Sequence, residues 1–366
     1  VVRLACLALV AVAVALAAAC GEYTAFDTSD HLQRQLAAEI GAPVEVPFAL
    51  DEEVEAFVDD LLRPSPSEEY RVEQVLDLIF RKVGLTYALY PTRNASETFR
   101  ARQGNCLSFV NLFVGTARRL RLNPFYVEVN DYQRWNYRQG MVVSQGHIVA
   151  GLYIGGGLRT FDFLPYAEKG YKSFAPIDDR TATAHYYNNL AAERLLAGDA
   201  AAALPLLDTA AAVAPGFLKA QNNLAVALTR LGRAGEALEV LAAALEEEPR
   251  DGALLTNQVR ALLMLGRRQE ALATLDLLEE TRTLNPFFYV YRADMALAAG
   301  DPRKALEYLR EAMRRDTEIP EVHLGLVKAY LALGDVGKAR HHLSRALRLD
   351  ATHEEALRLA RMLHEG

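Results

Sequence analysis

Three side chains, Cys106, His147 and Asp162, have the types and the order of a nucleophile, a general base and a group that orients the base. Cys106 ends the polar stretch RQGNC and opens an apolar segment with helical spacing. A thiol at a helix start lies at the positive end of the helix dipole, which favours the thiolate. With an imidazole beside it, such a thiolate is a nucleophile for acyl transfer. The alternative is a buried, inert thiol that packs as a small hydrophobe.

The other two residues lie on segments that are typical of strands. His147 opens HIVAGLYI and Asp162 lies within LRTFDFLPY, and the glycines between them predict a β-hairpin. A two-residue turn at Gly155–Gly156 places residue 149 opposite Asp162, with His147 one diagonal step away on the same face. A three-residue turn would place the two side chains on opposite faces. The triad hypothesis therefore requires the two-residue turn.

The pattern Gly104-x-Cys106 before a buried helix, followed by His147 and Asp162 on successive strands, resembles the transglutaminase-like superfamily. The resemblance covers residues 65–180 and implies an α+β, papain-like domain. It implies that Cys106 is the nucleophile, that His147 is the general base and then the acid, and that Asp162 orients the ring.

The resemblance also implies an oxyanion hole around the nucleophile. The backbone N–H of Cys106 would contribute to it, and Asn105 and Gln103 are candidates for the second donor. This chain departs from the family pattern at Leu107 and Ser108, where aromatic residues are usual, and in HIVAG, where the family has His-Ala-Trp. These departures leave the subfamily and the substrate open.

A strict repeat fills the second half of the chain. Glycines recur every 34 residues, and each is followed five positions later by alanine; they are Gly198, Gly232, Gly266, Gly300 and Gly334. This period is that of the tetratricopeptide repeat (TPR), in which glycine permits the turn between two antiparallel helices. We therefore expect an all-α solenoid of five repeats over 184–353 and a capping helix over 354–366.

Such arrays bind proteins or peptides on a concave face lined by the first helix of each repeat. Asn189, Asn223 and Asn257 fall at one repeat position on that helix. A ladder of amides at this spacing is suited to hydrogen-bond an extended peptide backbone. The alternative is that the three are neutral, solvated helix residues.

The N-terminus has the pattern of an export signal. Arg3 precedes a run of Leu, Ala and Val that ends in small residues at Cys20, so residues 1–20 resemble a bacterial lipoprotein signal. Cys20 would then be acylated. The alternatives are an ordinary cleaved signal and an uncleaved anchor. We expect an exported protein held by lipid at the membrane, periplasmic and on the outer membrane if the cell has two; residues 21–64 read as a linker and helices.

Composition excludes several classes of protein. The chain has 40 Lys and Arg against 47 Asp and Glu, a net charge of −7, and no basic cluster, which argues against nucleic acid as a partner. No spacing of Cys and His is typical of a metal site, and nothing demands a cofactor. Of three cysteines, Cys6 lies in the signal and Cys20 would carry lipid, so Cys106 is left without a partner.

These observations support two functions. The first is an exported cysteine-dependent acyl-transfer enzyme, a peptidase, amidase or transglutaminase-like enzyme, whose array recruits a substrate or partner protein. Hydrolysis is favoured over cross-linking because water is the default acceptor. The second is a catalytically silent domain that serves with the repeats as an interaction scaffold in the cell envelope.

Overall fold

The computed structural model describes residues 29–138, 141–164, 173–281 and 285–365. The predicted signal over 1–20, with Cys20, lies outside this part of the chain. The molecule divides into two compact units. The first holds the described residues up to Tyr132 together with Gly146–Tyr186 and Ala212–Ala214, and the second holds Gln133–Gln145, Tyr187–Ala211 and the chain from Pro215 onward.

In the described part of the first unit, five α-helices precede the four-stranded sheet. They are α1 (Ser29–Ile40), α2 (Glu52–Leu61), α3 (Glu68–Asp77), α4 (Ala95–Ala101) and α5 (Cys106–Arg119). A wider π-type turn, Leu78–Val83, continues α3. The short strands β1 (Thr86–Tyr87) and β2 (Gln103–Gly104) pair in parallel just before α5. The predicted helices of the N-terminal region are confirmed.

Helix α5 forms the centre of the first unit, as its apolar pattern predicts. Ten of its fourteen residues are buried, so it is covered on nearly all sides. At its C-terminal end, Arg118 donates to both carboxylate oxygens of Asp179, at 2.6 and 2.8 Å. This bidentate pair places a cation at the negative end of α5.

The sheet has four strands in the order β5-β4-β3-β6. Their bounds are β3 (Phe125–Arg138), β4 (Met141–Ile154), β5 (Gly157–Phe161) and β6 (Phe174–Ile177). Strand β6 was not predicted from the sequence; it pairs antiparallel to β3, with Tyr126 opposite Ile177.

The expectation of a loop between the strands of this region is wrong. The polar character of residues 130–146 predicts a loop, but β3 and β4 extend through most of it. Val142 and Val143 are fully buried, and residues 133–145 group with the second unit. Burial against distant residues therefore overrides the local polar composition.

The second unit contains helix pairs at the predicted period. The long helix α6 (Asp179–Leu196), which begins in the first unit, is followed by α7 (Ala200–Val213), α8 (Leu218–Arg230), α9 (Ala234–Glu247), α10 (Gly252–Met264), α11 (Arg268–Glu280), α12 (Pro286–Ala298), α13 (Pro302–Arg315), α14 (Pro320–Ala332), α15 (Val336–Leu349) and α16 (Glu354–Glu365). The five pairs from α6 to α15 are the predicted repeats.

The repeat glycines join the two helices of each pair, as predicted. Their φ angles lie between +72° for Gly266 and +88° for Gly198, in the left-handed region. This conformation costs glycine little and other residues more, which explains the glycine at every turn. Among the described residues, no helix is both long and apolar enough to span a membrane.

Candidate functional site

Cys106 is the first residue of α5, and its side chain is half-buried and free of any disulfide. The backbone N–H groups of a first helical turn have no intrahelical acceptor, and together they carry the positive end of the helix dipole. The structure therefore places the thiol at the positive end of the helix dipole, where a negative charge is stabilised.

A buried hydrogen-bond network fixes the start of this helix. Asn105 is the N-cap, and its Oδ1 accepts the backbone N–H of Ser108 at 3.0 Å and the Ser108 hydroxyl at 2.9 Å. Its Nδ2 donates to Thr92 Oγ1 at 2.7 Å, and the backbone N–H of Arg93 donates to Ser108 Oγ at 2.9 Å. The side chains of Asn105, Ser108 and Thr92 are nearly inaccessible to solvent. The network holds Cys106 in one position, because breaking it would leave buried polar groups without partners.

Gly104 is required by close packing beside the same network. A Cβ atom at this position would lie 2.6 Å from Ser108 Cβ and 3.2 Å from Thr98 Cγ2. The first distance is shorter than real Cβ contacts, so Ser108 and the start of α5 would have to move. The absence of a side chain at Gly104 therefore allows its backbone to pack directly against the Ser108 side chain.

His147 and Asp162 meet as the sequence requires. The pairs Ala150–Phe161 and Ile154–Gly157 define the register of β4 with β5, and continuing it one step places residue 149 opposite residue 162. Gly155 and Gly156 form the two-residue turn at φ +59° and +81°, so that prediction is confirmed. His147 Nε2 lies 3.2 Å from Asp162 Oδ2.

The Asp162 carboxylate is itself held in place. Its Oδ1 accepts the backbone N–H of Leu164 at 3.0 Å. The neighbouring rings of Phe161 and Phe163 both pack against Phe113 of α5, with centroids 4.8 and 5.9 Å apart. Because both flanking rings pack against α5, the Asp162 side chain between them points to the other face of the strand, towards the imidazole.

The pKa of His147 is raised to about 9 from an ordinary 6.5. Burial opposes the charged form and is the largest single effect, but hydrogen bonds to Asp162 and Cys106, with their charges, outweigh it. Because Nε2 faces Asp162, Nδ1 is the nitrogen left for the Cys106 sulfur. At neutral pH the ring is therefore an imidazolium, held by the Asp162 carboxylate and Cys106.

The structure distinguishes the two oxyanion candidates. Asn105 is buried, and its amide is engaged with Thr92 and Ser108 as described, a structural role that the sequence interpretation missed. Its signal was present, since Asn is among the residues preferred immediately before the first residue of a helix. Gln103 is exposed on β2, three residues before Cys106 in the strand pair that precedes α5.

A second polar cluster lies within the second unit. Asn257 Oδ1 accepts the backbone N–H of Val142 at 2.9 Å, and its Nδ2 donates to the Val142 carbonyl at 3.0 Å. Asn222 Nδ2 donates to the same carbonyl at 2.9 Å. One side-chain amide thus binds both backbone groups of one strand residue, as a neighbouring strand would.

The amides continue as a connected ladder. Asn257 Nδ2 donates to Asn222 Oδ1 at 2.7 Å, Asn222 Nδ2 to Asn223 Oδ1 at 3.2 Å, and Asn223 Nδ2 to Asn188 Oδ1 at 2.8 Å. The alternative of solvated helix residues is wrong, because Asn189, Asn223 and Asn257 are all buried. We call this set, Asn188, Asn189, Asn222, Asn223 and Asn257, the amide ladder.

The three predicted ladder residues therefore differ in what they contact. Asn257 binds backbone, Asn223 connects its neighbours, and Asn189 Oδ1 is buried without a hydrogen-bond donor opposite it in the described part of the chain. Asn222 and Asn188 were missed, although the doubled asparagines of YYNNL and AQNNL repeat at the same 34-residue interval. No group of three or more metal-ligating side chains occurs among the residues the structure describes.

Comparison with known proteins concerns the repeat half. The family model described as tetratricopeptide repeat matches residues 194–255, 228–286 and 296–363. The C-terminal half of the chain is therefore a TPR solenoid, a class of structure that generally binds protein or peptide partners. No curated protein matches the chain.

Solved structures resemble about half of the chain. A thermophilic TPR protein of Thermus thermophilus, TTC0263, is 21% identical over 50% of this chain and all of its own, with a TM-score of 0.45. PilF of Pseudomonas aeruginosa is 22% identical over 51% of this chain and 85% of its own, with a TM-score of 0.42. MamA of Desulfovibrio magneticus is 20% identical over 47% of this chain and 97% of its own, with a TM-score of 0.36.

Proposed function

We propose that the chain is a cysteine-dependent acyl-transfer enzyme with a papain-like, transglutaminase-like domain and the triad Cys106, His147 and Asp162. The observation that carries this proposal is a buried imidazole between a carboxylate 3.2 Å away and a thiol at a helix start. A histidine that merely packs in a core does not need both partners.

The chemistry follows from these positions. The imidazolium–thiolate pair supplies a sulfur that attacks a peptide, amide or isopeptide carbonyl, and the carbonyl oxygen becomes an oxyanion near the free N–H of Cys106. His147 gives its proton to the leaving amine as the C–N bond breaks, which leaves a thioester on Cys106. Water, deprotonated by His147, then releases the acid and restores the thiol. An amine in place of water would give cross-linking, and hydrolysis is the favoured outcome because water is always present.

Asp162 orients the ring and stabilises its charge through both steps. In the proposed oxyanion hole, Gln103 is the better second donor because the amide of Asn105 already holds the helix start. A Gln103→Ala variant that kept full turnover would remove it from this role.

The TPR array supplies the protein-binding part of the proposal. It is proposed to recruit the protein substrate or a partner of the catalytic domain. The second candidate function is a silent domain that serves with the array as an envelope scaffold. The repeats favour this candidate, since protein binding is what TPR solenoids generally do.

The proposed place of action is the cell envelope, with the chain exported and anchored through lipid on Cys20. The motivation is the signal pattern of residues 1–20. Growth with an alkyne fatty acid should label the wild-type chain and not the Cys20→Ser variant. Equal labelling of both chains would remove the anchor from the account.

Trapping of an acyl-enzyme tests the catalytic proposal. The full chain is mixed with p-nitrophenyl acetate, and the acetylated peptide is identified by mass spectrometry. Acetyl should accumulate on Cys106, and His147→Ala should reduce its rate of formation at least tenfold. Acetylation spread over lysines, with Cys106 unmodified, would favour the scaffold.

A further inference from the structure

The amide ladder makes hydrogen bonds to the backbone of another segment of the same chain. Asn257 and Asn222 place three hydrogen bonds on the backbone of Val142, within the second unit. These are contacts that a peptide-binding groove makes with an extended ligand, here made with Val142 of the same chain.

We propose that the amide ladder is a binding site for an extended partner strand and that the Val142–Val143 segment is its internal occupant, displaced when the partner binds. The inference rests on the proposed protein-binding role of the array and assigns to it a site, a ligand chemistry and a form of regulation.

The ladder recognises backbone and not a side chain. The Val142 N–H and carbonyl are groups that every residue except proline presents, so the clamp accepts many sequences in an extended conformation. It excludes proline at the clamped position, because proline has no N–H to donate to Asn257 Oδ1.

Selectivity comes from the apolar surroundings. The side chain of Val143 is fully buried in a cluster made largely of alanines. The cluster is Ala191, Ala192, Leu195, Ala200, Ala203, Leu207, Val226 and Ala227. Val142, which a strand directs to the opposite side, is fully buried as well. The fitting partner is therefore an extended segment with two successive small aliphatic residues, and an aromatic ring at the second position would be too large.

The ladder extends beyond what the internal segment uses. Asn189 is 5% exposed, and its Oδ1 has no hydrogen-bond partner in the described part of the chain. Buried polar groups are normally satisfied, and a vacant acceptor at the ladder position one repeat before Asn223 suits a ligand strand longer than the present one.

The internal segment competes with a partner for the amide ladder. A tethered segment competes at its effective concentration, so a free peptide binds the wild-type chain weakly and binds more tightly once the segment is released. Weakening the internal segment should therefore strengthen binding of the partner, whereas removing a ladder amide should weaken it.

The test uses the full chain and a fluorescein-labelled peptide, QGMVVSQG, that copies residues 139–146. Fluorescence anisotropy measures its dissociation constant. Val142→Pro, which removes the internal N–H, should tighten binding at least tenfold relative to wild type. Adding Asn257→Ala to that variant should weaken binding at least tenfold. A matched peptide with proline at the first valine should not bind either chain.

Equal binding of the two peptides, or no gain on Val142→Pro, would overturn the inference. Since proline at a buried strand position also perturbs folding, the wild-type chain is tested in parallel by hydrogen exchange. Saturating peptide should speed exchange of the Val142 amide at least fivefold. Peptide that binds while this amide stays protected would also overturn the inference. Acetylation of Cys106 is scored separately, so failure here leaves the catalytic proposal intact.

Discussion

Replacement of Asp162 by asparagine tests the electrostatics of the proposed triad. Asparagine keeps the size of the side chain and a carbonyl oxygen 3.2 Å from His147 Nε2, but it removes the negative charge. The neutral side chain should stabilise the imidazolium less, so the pKa of His147 should fall from about 9 in the wild-type protein.

The magnitude follows from the contact. A hydrogen bond to a charged group contributes about 1.5–3 kcal/mol, and one pKa unit corresponds to about 1.36 kcal/mol. Loss of the charge should therefore lower the pKa of His147 by roughly one to two units. Burial, which already opposes the imidazolium, acts in the same direction in the variant and prevents compensation.

The assay is NMR titration of histidine-labelled protein, with the His147 resonance assigned through His147→Gln. Asp60→Asn serves as a matched control, since Asp60 is exposed on α2 and its loss changes the net charge equally. The control should leave the His147 midpoint unchanged. A wild-type midpoint near 6.5, or an equal midpoint in Asp162→Asn, would refute the reasoning.

Two further predictions concern packing and pH. Gly104→Ala, whose Cβ would lie 2.6 Å from Ser108 Cβ, should lower the free energy of unfolding of the first unit by about 1–3 kcal/mol; an unchanged thermal midpoint would contradict the close packing. Burial first, and then the charge of His323, lowers the pKa of His342 to about 4. For a fully buried ring, this lowering of the pKa would correspond to roughly 3 kcal/mol of folding stability. Because His342 is partly exposed, we expect about half of that. This contribution to the stability of the repeats should therefore be complete above pH 6.5 and be lost between pH 6.5 and about 4. His342→Asn should reduce that loss, and His31→Asn should not.

The orientation of the His323–His342 pair supports the sign of that pH dependence. His323 Nε2 lies 3.0 Å from the Thr317 carbonyl, so it donates there and leaves Nδ1 as an acceptor for His342 Nδ1 at 3.1 Å. The pair is satisfied when both rings are neutral. Unfolded histidines take up protons below about pH 6.5, so acid favours the unfolded repeats.

Local patterns predicted much of the fold and of the site. The apolar spacing after Cys106 predicts a buried helix, and the glycines at 34-residue intervals predict the turns of the repeats. The paired glycines of the hairpin fix its register, because a two-residue turn with positive φ leaves one alignment of the strands. Each of these features is decided by residues close together in the chain.

The features that sequence reasoning missed depend on distant residues. Residues 130–146 read as a loop, yet Val142 is held by Asn257, 115 residues further along. The roles of Asn105 and Thr92 at the start of α5 likewise depend on a contact between residues 13 positions apart. The repeat period places the asparagines on one helix position, but it does not say which distant segment they contact.

The rate of alkylation of Cys106 tests the central claim most directly. An ordinary thiol is only a few per cent ionised at pH 7. In the proposed ion pair with His147, Cys106 reacts as the thiolate. Iodoacetamide should therefore modify Cys106 of the full chain at least tenfold faster than a free cysteine, as measured by peptide mass mapping. His147→Ala should reduce that rate at least tenfold while circular dichroism stays unchanged. A wild-type rate no faster than that of the free amino acid, or an equal rate in the variant, would contradict the triad.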